Sequence, residues 1–468
     1  MVSSSNQFKK KFKKIRESRG LSRKKIAEKL DVARKTIENW ENGISLPRVD
    51  AMQDMVQKIE LTPYELYTLL DETNPIDPTV NETRWVTNFP HHLLLIGNNN
   101  EQNHHIKMRE EIEQGIAIFT ELMHGKDEKQ IRKDFSLVNR SDKNEMVRGY
   151  LQKLFWNKIV VFSSIKRNLQ LEDQLKTKIQ KLYKRKIDEV YIADTYSEDN
   201  QAMIDSVIIR VEMVSALAAQ IAFPSHVAED FHFGIGAGYT IARFADQLIV
   251  LNGNDYTLSG TWLPLVAFPH RQLNREASVY AKAQIPFYTA NSIVTHLCNK
   301  TRNSTGLWLP FNNNKQLGRD TELYIKNHVN KIDAIYLSVN GKHQSPSASD
   351  YREYQTIRQF LDDGQSTQAY QDHIVDNIVG EVLGHIIDKN MNTLQEADCQ
   401  DGMFNKYKAY AKRLPLNILM RVVKNGKSVF CLAVGDYKAK PIKALLEHGY
   451  VNGLVLDSSC AEELEKIL

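Results

Sequence analysis

The chain has 468 residues, of which 25% are charged and 42% hydrophobic, and its formal net charge is +4. This length exceeds what one hydrophobic core supports and predicts two to four domains, while the composition is that of an ordinary globular protein. No apolar run approaches the roughly 20 residues that a membrane-spanning helix needs, and the first residues lack the apolar stretch of a secretory signal. We therefore expect a protein of the cytoplasm that has no membrane anchor.

Positive charge is concentrated near the N-terminus. Residues 8–36 hold 13 Lys or Arg and three acids, a net charge of +10, so the rest of the chain must carry −6. A basic segment on an otherwise acidic protein is typical of a nucleic-acid-binding module that is joined to another domain.

The first 72 residues have the apolar spacing of short helices. Phe8, Phe12 and Ile15 share one helical face, and that helix ends at Gly20. Helical spacing returns in SRKKIAEKL, ARKTIENWENG and LPRVDAMQDMVQKI, and TPYE forms a capping box. Five short helices in so few residues predict a compact all-α domain of the helix-turn-helix kind over 1–72.

The run LSRKKIAEKLDVARKTIENWENGISLP resembles the phage-repressor-type (XRE) helix-turn-helix family, and the likeness extends over nearly all of residues 8–70. The resemblance implies that helix 33–41 lies in the major groove of double-stranded DNA. The residues that it implies for DNA contact are Arg23, Arg34, Lys35, Thr36 and Asn39. Ala33 stands where the family often has a capping Ser, which weakens the helix start by about 1 kcal/mol.

Polar segments follow this domain. NPIDPTVNET carries two prolines and GNNNEQNHH is polar throughout, so we expect a linker over 73–107. The four histidines of this stretch, His91, His92, His104 and His105, lack the spacing that puts two imidazoles on one helical face. The four cysteines, Cys298, Cys399, Cys431 and Cys460, form no CxxC pair. We therefore expect no disulfide, no metal and no cofactor.

Residues 108–185 are predicted to be helical. The stretch 126–162 has the rhythm of a helix, a turn, a longer helix and a short strand. It resembles the winged helix-turn-helix of SorC-type regulators, with Lys158, Ile159 and Val160 in place of a Gly-Ile-Val strand. Because the charges of its second helix nearly balance, we favour a structural or dimerising module over a second DNA reader. The charged stretch NLQLEDQLKTKIQKLYKRK then forms a connecting helix that could pair between subunits.

Strand-like and helix-like segments alternate over 186–468. The expected strands are DEVYIADT, DFHFGIGAG, WLPLVAF, GLWLPF, DAIYLSVNG, SVFCLAVG and NGLVLDS, and the expected helices include 202–222, 239–250, 290–299, 374–387 and 438–448. Such alternation predicts an α/β domain with a mostly parallel sheet that is covered on both faces. Ligands of such sheets bind beyond the carboxyl ends of the strands.

Two strand-to-helix turns could bind an anion. GIGAGYT at 234–240 lets backbone amides approach a phosphate at a helix N-terminus, although such glycine turns also serve packing alone. Lys438 begins a helix just past a strand, where it could reach a phosphate or simply lie on the surface.

Seven motifs over 170–468 resemble, in the same order, the sugar-binding domain of SorC and DeoR-type regulators, a fold shared with sugar-phosphate isomerases and deaminases. They are LEDQLKTKI, GIGAGYT, YTANSI, DAIYLSVNG, GEVLGHIIDKNM, AVGDYKAKPIKALL and VNGLVLDSSCAEEL. The resemblance implies a phosphorylated sugar or related metabolite as effector, bound by Gly236, Gly238, Tyr239, Thr240, Asn291, Asp388 and Lys438. The pattern departs at 265–272, at 338–341 and after Asp388, so the class of effector stays open.

These features predict a DNA-binding transcription regulator whose operator binding is modulated by a small, phosphorylated, sugar-like effector. We expect a homodimer or homotetramer, since dimeric readers need two half-sites, and we expect no enzymatic activity. The alternative is a sugar-phosphate isomerase or deaminase fused to a DNA-binding module, for which Asp388, His385 and Asp457 are the candidate bases. A third possibility is a domain that has lost its ligand and acts through protein partners.

Overall fold

A computed structural model of the full chain divides into two compact units. One comprises Met1–Lys166 with Gln247–Leu258, and the other Arg167–Asp246 with Ser259–Leu468. The residues that the structure describes are 9, 12–13, 15–17, 20–45, 47, 51, 55, 58–59, 83–87, 99–135, 137, 143–184, 187, 189–197, 202–223, 231–252, 260–267, 289–301, 304–309, 323–324, 327–341, 378–393 and 412–468. The predicted capping box at 62–65 lies outside them. No helix in these ranges is long and apolar enough to cross a membrane.

The helix-turn-helix of the first unit consists of α1 (Arg23–Leu30) and α2 (Arg34–Asn42). Ser22 caps α1 by accepting a hydrogen bond from the Lys25 amide at 3.1 Å, whereas Ala33 gives α2 no side-chain cap, as the sequence predicted. The helices share one apolar core with the segments before and after them, made of Phe12, Ile26, Ala27, Leu30, Ile37, Trp40, Met55 and Ile59.

A buried carboxylate holds α1 and α2 together. Glu41 is 6% exposed, and its two oxygens accept hydrogen bonds from the guanidinium groups of Arg16 and Arg23. Burial opposes the ionisation of Glu41, but the hydrogen bonds and charges of the two arginines outweigh it and hold its pKa below the ordinary value. We call this group the Glu41 clamp. It orients α2 against α1, because moving the helices apart would separate a buried carboxylate from the guanidinium groups that compensate its charge.

The rest of the first unit is a group of helices with a strand pair. Its elements are β1 (Arg84–Thr87), α3 (Asn99–Met123), α4 (Glu128–Asp134), α5 (Lys143–Trp156) and β2 (Val160–Ser164), and β1 pairs antiparallel with β2. Four aromatic side chains pack together in its core, namely Trp85, Phe119, Phe155 and Phe162. The predicted helix, turn, longer helix and strand are present.

The structure also places β1 and the start of α3 inside the predicted linker. A strand of four residues leaves too short a pattern for a local window to detect. Its pairing depends on β2, which comes much later in the chain, so only the folded chain reveals it.

The second unit is an α/β domain, as predicted. Its strands are β3 (Glu189–Ala193), β4 (His232–Ile235), β5 (Gly260–Pro264), β6 (Val266–Ala267), β7 (Ser304–Gly306), β8 (Ala334–Leu337), β9 (Val339–Gly341), β10 (Ile378–Val382), β11 (His385–Asp388), β12 (Lys412–Arg413), β13 (Ser428–Ala433) and β14 (Gly453–Asp457). Seven of them form a parallel sheet in the order β3-β14-β13-β8-β4-β5-β7. The strands expected from sequence are all present, although β7 only reaches the first residue of GLWLPF.

Helices accompany this sheet. They are α6 (Leu169–Tyr183), α7 (Val207–Leu217), α8 (Tyr239–Asn252), α9 (Ala290–Lys300), α10 (Asn417–Lys424), α11 (Ala439–Glu447) and α12 (Ser458–Ile467). Helix α6, expected as a connector, buries Leu171, Leu175 and Ile179 in the same core as β3 and α12. It is therefore a layer of the α/β domain in this chain, because its apolar stripe is covered by the chain's own sheet.

The helix expected at 374–387 is wrong. The structure has a hairpin there, in which β10 pairs antiparallel with β11 and, on its other side, with β9. The turn consists of Leu383 and Gly384, whose φ values are 49° and 78°. Two successive positive φ values suit a tight two-residue hairpin turn, but the sequence lacks the Asn-Gly pair that usually announces one.

The hairpin sheet packs on the turn before α11 through glycine. A Cβ on Gly341 would lie 1.8 Å from the Tyr437 carbonyl oxygen and 3.1 Å from the Lys438 Cα. A Cβ on Gly380 would lie 2.9 Å from the Pro441 side chain. Because only residues without a side chain allow this approach, the glycines bring backbone directly over the turn that carries Lys438.

Replacing Glu41 by Gln removes the charge of the clamp and keeps its shape. We expect Glu41→Gln to weaken the packing of α1 on α2 by roughly 3–5 kcal/mol, because the buried Arg16 charge then keeps only the exposed carboxylate of Glu17 as a counter-ion. Amide hydrogen exchange of the segment 22–43 in the full-length protein measures this change. The control is Glu28→Gln, since Glu28 is 62% exposed and its pair with Lys24 contributes at most about 1 kcal/mol.

The clamp also predicts a pH dependence. Since the folded-state pKa of Glu41 is lowered, its stabilising contribution is complete above the unfolded-state value of about 4.3 and is lost as the pH falls through the folded-state value. Protection of α1 and α2 should therefore decline below about pH 4 in the wild type, and this step should be absent from Glu41→Gln. If the amides of α1 and α2 were equally protected from exchange in the wild type and in Glu41→Gln at neutral pH, the clamp would not hold the helices together.

Candidate functional site

The open side of α2 carries the basic residues expected to contact DNA. The side chains of Arg34 and Lys35 are 65% and 74% exposed, and Thr36 and Asn39 are partly exposed. Arg23 differs from these four, because its Nε donates to the carboxylate of the clamp while 37% of its side chain stays exposed. The structure therefore brings four of the five together on one helix and gives the fifth a structural bond.

Sequence reasoning missed the Glu41 clamp. A usable signal existed, since Glu41 follows the buried Ile37 by four residues and so falls on the core side of α2. A carboxylate at such a position requires donors, and the basic segment before α2 supplies Arg16.

The second candidate site lies at the carboxyl edge of the parallel sheet. From β4 the chain builds outward through β5 and β7, and it then returns to the opposite side of β4 with β8, β13 and β14. The order of the strands thus reverses between β4 and β8. In open α/β sheets, ligands bind beyond the carboxyl ends of strands at such a switch point.

The predicted glycine loop, residues 236–238, follows β4 at this point. A Cβ on Gly236 would lie 3.2 Å from the Leu337 Cα and from the Leu383 side chain, so this glycine serves close packing. Gly238 differs, because its φ is 109° and no atom lies within 4 Å of the Cβ position. Ala237 packs with Val266 and Ala290. The loop therefore leads directly into the first turn of α8 and contacts the first turn of α9, so two positive helix ends lie near it.

Lys438 lies under the hairpin sheet beside the same edge. It is 5% exposed, and its Nζ lies 5.6 Å from the centre of the Tyr437 ring. In the part of the chain that the structure describes, no carboxylate pairs with this ammonium group. A buried lysine without an acid is uncommon, because the charge loses hydration that only an anion or several acceptors can replace.

The glycine loop and Lys438 face the same stretch, 337–341. Gly236 approaches its first residue and Lys438 approaches Gly341, its last. The loop follows β4 and the lysine follows β13, with β8 between them. Two inter-strand spacings, about 10 Å, separate β4 from β13, which is the length of a small metabolite.

The other residues predicted for effector binding make local bonds. The Thr240 carbonyl accepts a hydrogen bond from Ser215 Oγ at 3.1 Å, and the residue beside it, Tyr239, starts α8. The Asn291 side chain donates to the Leu309 carbonyl at 3.0 Å and accepts from the Leu309 amide at 3.1 Å. This amide clamp joins α9 to the segment after β7, so the role of Asn291 in effector binding stays a prediction.

Asp388 closes a turn at the end of β11. Its carboxylate accepts hydrogen bonds from the amides of Asn390 and Asn392, both at 2.8 Å, and from the Asn392 side chain at 2.9 Å. The carboxylate of Asp388 thus forms hydrogen bonds within its own turn, and its contact with an effector also stays a prediction.

The groups considered as catalytic bases are engaged in structural bonds. Burial lowers the pKa of His385 to about 4, so the imidazole is neutral and its Nε2 donates to the Leu414 carbonyl at 2.9 Å. Asp457 is fully buried, and its carboxylate pairs with Arg210 at 2.6 Å. It also accepts from Ser459 Oγ and from the amides of Gly435 and Cys460. Sequence reasoning missed Arg210, the counter-ion of Asp457.

Within the described ranges, no group of three or more His, Cys, Asp or Glu residues is arranged to hold a metal ion. Of the cysteines that the structure describes, Cys431 and Cys460 are buried and Cys298 is partly exposed, and all three are free thiols. Cys399 lies outside these ranges.

Comparisons with known proteins bear on the two units differently. A family profile described as "Helix-turn-helix" matches residues 12–66, which confirms the predicted resemblance of the N-terminal domain. No curated protein matches the sequence.

Several solved structures resemble the larger part of the chain. The full-length sorbitol operon regulator SorC from Klebsiella pneumoniae is 11% identical with a TM-score of 0.44, over 75% of this chain and 98% of that one. A transcriptional regulator from Streptococcus pneumoniae is 16% identical with a TM-score of 0.43, over 64% and 98%. A DeoR family transcriptional regulator from Listeria monocytogenes is 16% identical with a TM-score of 0.41, over 63% and 99%.

Two of these structures carry the family names that the C-terminal motifs resemble, but at such TM-scores they assign no ligand to this chain. Residues 12–66 match the helix-turn-helix family, and in this chain that domain is followed by an α/β domain with a seven-stranded parallel sheet.

Proposed function

We propose that the chain reads operator DNA through α2 and that a small anionic, sugar-like effector modulates this binding. The observation that carries the proposal is the open basic face of α2, with Arg34 and Lys35 exposed and the helix oriented by the Glu41 clamp. Arg and Lys can reach guanine in the major groove, and Asn39 can reach adenine. Thr36 completes the face, and Arg23 contacts a nearby phosphate with the exposed part of its side chain.

The effector side of the proposal rests on Lys438 and Gly238. The Lys438 side chain is 5% exposed and pairs with no acid among the described residues, and the glycine loop leaves open space at Gly238, just before α8. Both features favour a negatively charged group. Their separation of about two strand spacings suits a phosphorylated sugar or a metabolite of similar length.

Linkage between the two sites follows from differential binding. An effector that binds one arrangement of the protein more tightly shifts the population toward it, and operator affinity changes by the same free energy. We propose a homodimer or homotetramer as the working assembly, since two helix-turn-helix domains read two half-sites. Effector binding then changes how many subunits can engage their half-sites together.

Removing both exposed cations tests the DNA-reading face. We expect Arg34→Ala with Lys35→Ala to abolish the recovery of a shared sequence motif when the full-length protein selects genomic fragments at physiological salt. The fold should persist, because neither side chain is buried. A control that replaces Lys24 and Lys29, which are exposed on α1, by Ala should lower affinity for all fragments and keep the motif. Recovery of the wild-type motif by the Arg34 and Lys35 variant would move DNA reading elsewhere.

Lys438→Met tests the effector site, because Met keeps the apolar stem and removes the charge. The probe is a panel of sugar phosphates and inorganic phosphate, assayed for changes in affinity for a selected fragment. Any compound that changes the DNA affinity of the wild type should act on the variant only at about tenfold higher concentration or more, since a charged hydrogen bond is lost. The affinity of the variant for the DNA fragment in the absence of the compound should stay unchanged. Lys440→Met, an exposed neighbour on α11, should respond normally. An undiminished response in Lys438→Met would contradict the assignment.

A further inference from the structure

We propose that Glu38 is a specificity-determining residue of the reading helix, which positions Arg34 and Lys35 and opposes their binding to nonspecific DNA. The proposal rests on the DNA-reading function of α2 proposed above. It concerns an acid that neither the sequence motifs nor the family match single out.

The geometry places Glu38 between the two cations. Its Oε1 lies 3.3 Å from Arg34 Nε, one helical turn earlier, and its Oε2 lies 3.4 Å from Lys35 Nζ. Each carboxylate oxygen thus serves one cation. Glu38 itself is 25% exposed, so it is held against the helix rather than extended into solvent.

Glu38 is the acid of α2 that remains available on this face. The other acid of the helix is Glu41, which is buried and committed to the clamp. The first turn of α2 holds no acid and begins at Ala33, which provides no side-chain cap. Two cations in that turn are unfavourable, because the N-terminus of a helix is the positive end of its dipole. The carboxylate of Glu38 offsets part of this excess positive charge.

The ion pair with Arg34 is formed at Nε, so it does not use the two terminal guanidinium nitrogens. That pair can bind guanine O6 and N7 in a bidentate manner. A guanidinium that is held at Nε loses less freedom when it meets a base. Glu38 therefore acts on base reading through Arg34.

The same carboxylate penalises contacts with the DNA backbone. Phosphates supply most of the affinity for nonspecific DNA, and a fixed negative charge beside Arg34 and Lys35 repels them. On operator DNA, the free energy gained from the guanine contact outweighs this repulsion. On nonspecific DNA the guanine contact is missing and only the repulsion remains. Such a repulsive element raises the ratio of specific to nonspecific affinity.

The test compares Glu38→Gln with the wild type and with Glu28→Gln, all as full-length protein. Glu28 is an exposed acid of α1 that pairs with Lys24, so its variant makes the same charge change away from the reading face. Binding is measured at several salt concentrations to a selected genomic fragment and to a random duplex of equal length.

For Glu38→Gln we expect tighter binding to the random duplex, with a salt dependence steeper by about one released counter-ion, because Lys35 is free to reach a phosphate. The ratio of specific to nonspecific affinity should fall about tenfold. Fragment selection should show relaxed preference at the base pair read by Arg34. Glu28→Gln should keep both the ratio and the preference.

Three results would overturn the proposal. The first is an unchanged affinity ratio in Glu38→Gln, and the second is an equal change in Glu28→Gln, which would reduce the effect to net charge. The third is that Glu38→Gln loses a preference for cytosine at a base pair where Arg34→Ala keeps it. Glu38 would then read a base directly, because a carboxylate accepts a hydrogen bond from cytosine N4. If the variant with Arg34→Ala and Lys35→Ala still selects the operator motif, the proposed function itself is contradicted. If that double variant loses the motif but Glu38→Gln binds DNA as the wild type does, only the role of Glu38 is contradicted.

Discussion

Burying a charge requires compensating partners, and this requirement shapes both candidate sites. Glu41 is buried between two arginines, and Asp457 is buried among a guanidinium, a hydroxyl and two backbone amides. Each group is satisfied within the chain and each fixes neighbouring elements. Lys438 is buried to a similar degree, yet no acid among the described residues compensates it. This contrast is the reason for assigning the anion to Lys438.

The two sites differ in how the fold exposes them. On α2 the apolar side and the Glu41 clamp use up one face, so the basic side chains of the opposite face are presented on a fixed backbone. In the α/β domain the parallel strands gather their turns at one edge, where the hairpin sheet covers the Lys438 turn and touches the glycine loop through Leu383. An exposed helix of this kind suits the major groove of DNA, and a site covered by a second sheet suits a small molecule.

Much of the fold followed from local sequence patterns, and the exceptions have physical reasons. Strands such as β8 and β13 are buried along their length, so they appear as short apolar runs between helical segments. The hairpin at 378–388 escaped because its turn, Leu383 and Gly384, takes positive φ values that the residue types do not announce. Likewise β1 depends on a partner that is distant in sequence.

For the two candidate sites, the sequence predicted some residues correctly and missed the groups that they contact. The family resemblance placed Arg34 and Lys35 on the exposed side of the reading helix, and both side chains are exposed there. Helical spacing alone separates Glu38 from Glu41, because Glu41 follows the buried Ile37 by four residues. The donors of Glu41 were harder to predict, because Arg16 and Arg23 lie 25 and 18 residues away in sequence. Asn291 and Asp388 came from a resemblance alone, and both are bonded to nearby backbone groups.

The linkage of DNA binding and effector binding in one protein is the proposal on which the others depend. It is tested most directly by measuring the affinity of the full-length protein for a sugar phosphate with and without saturating operator fragment, and its affinity for the fragment with and without that sugar phosphate. Thermodynamic linkage requires that both affinities change by the same factor. If sugar phosphates bind the protein with an affinity that operator DNA leaves unchanged, the protein is not an effector-controlled regulator of the proposed kind.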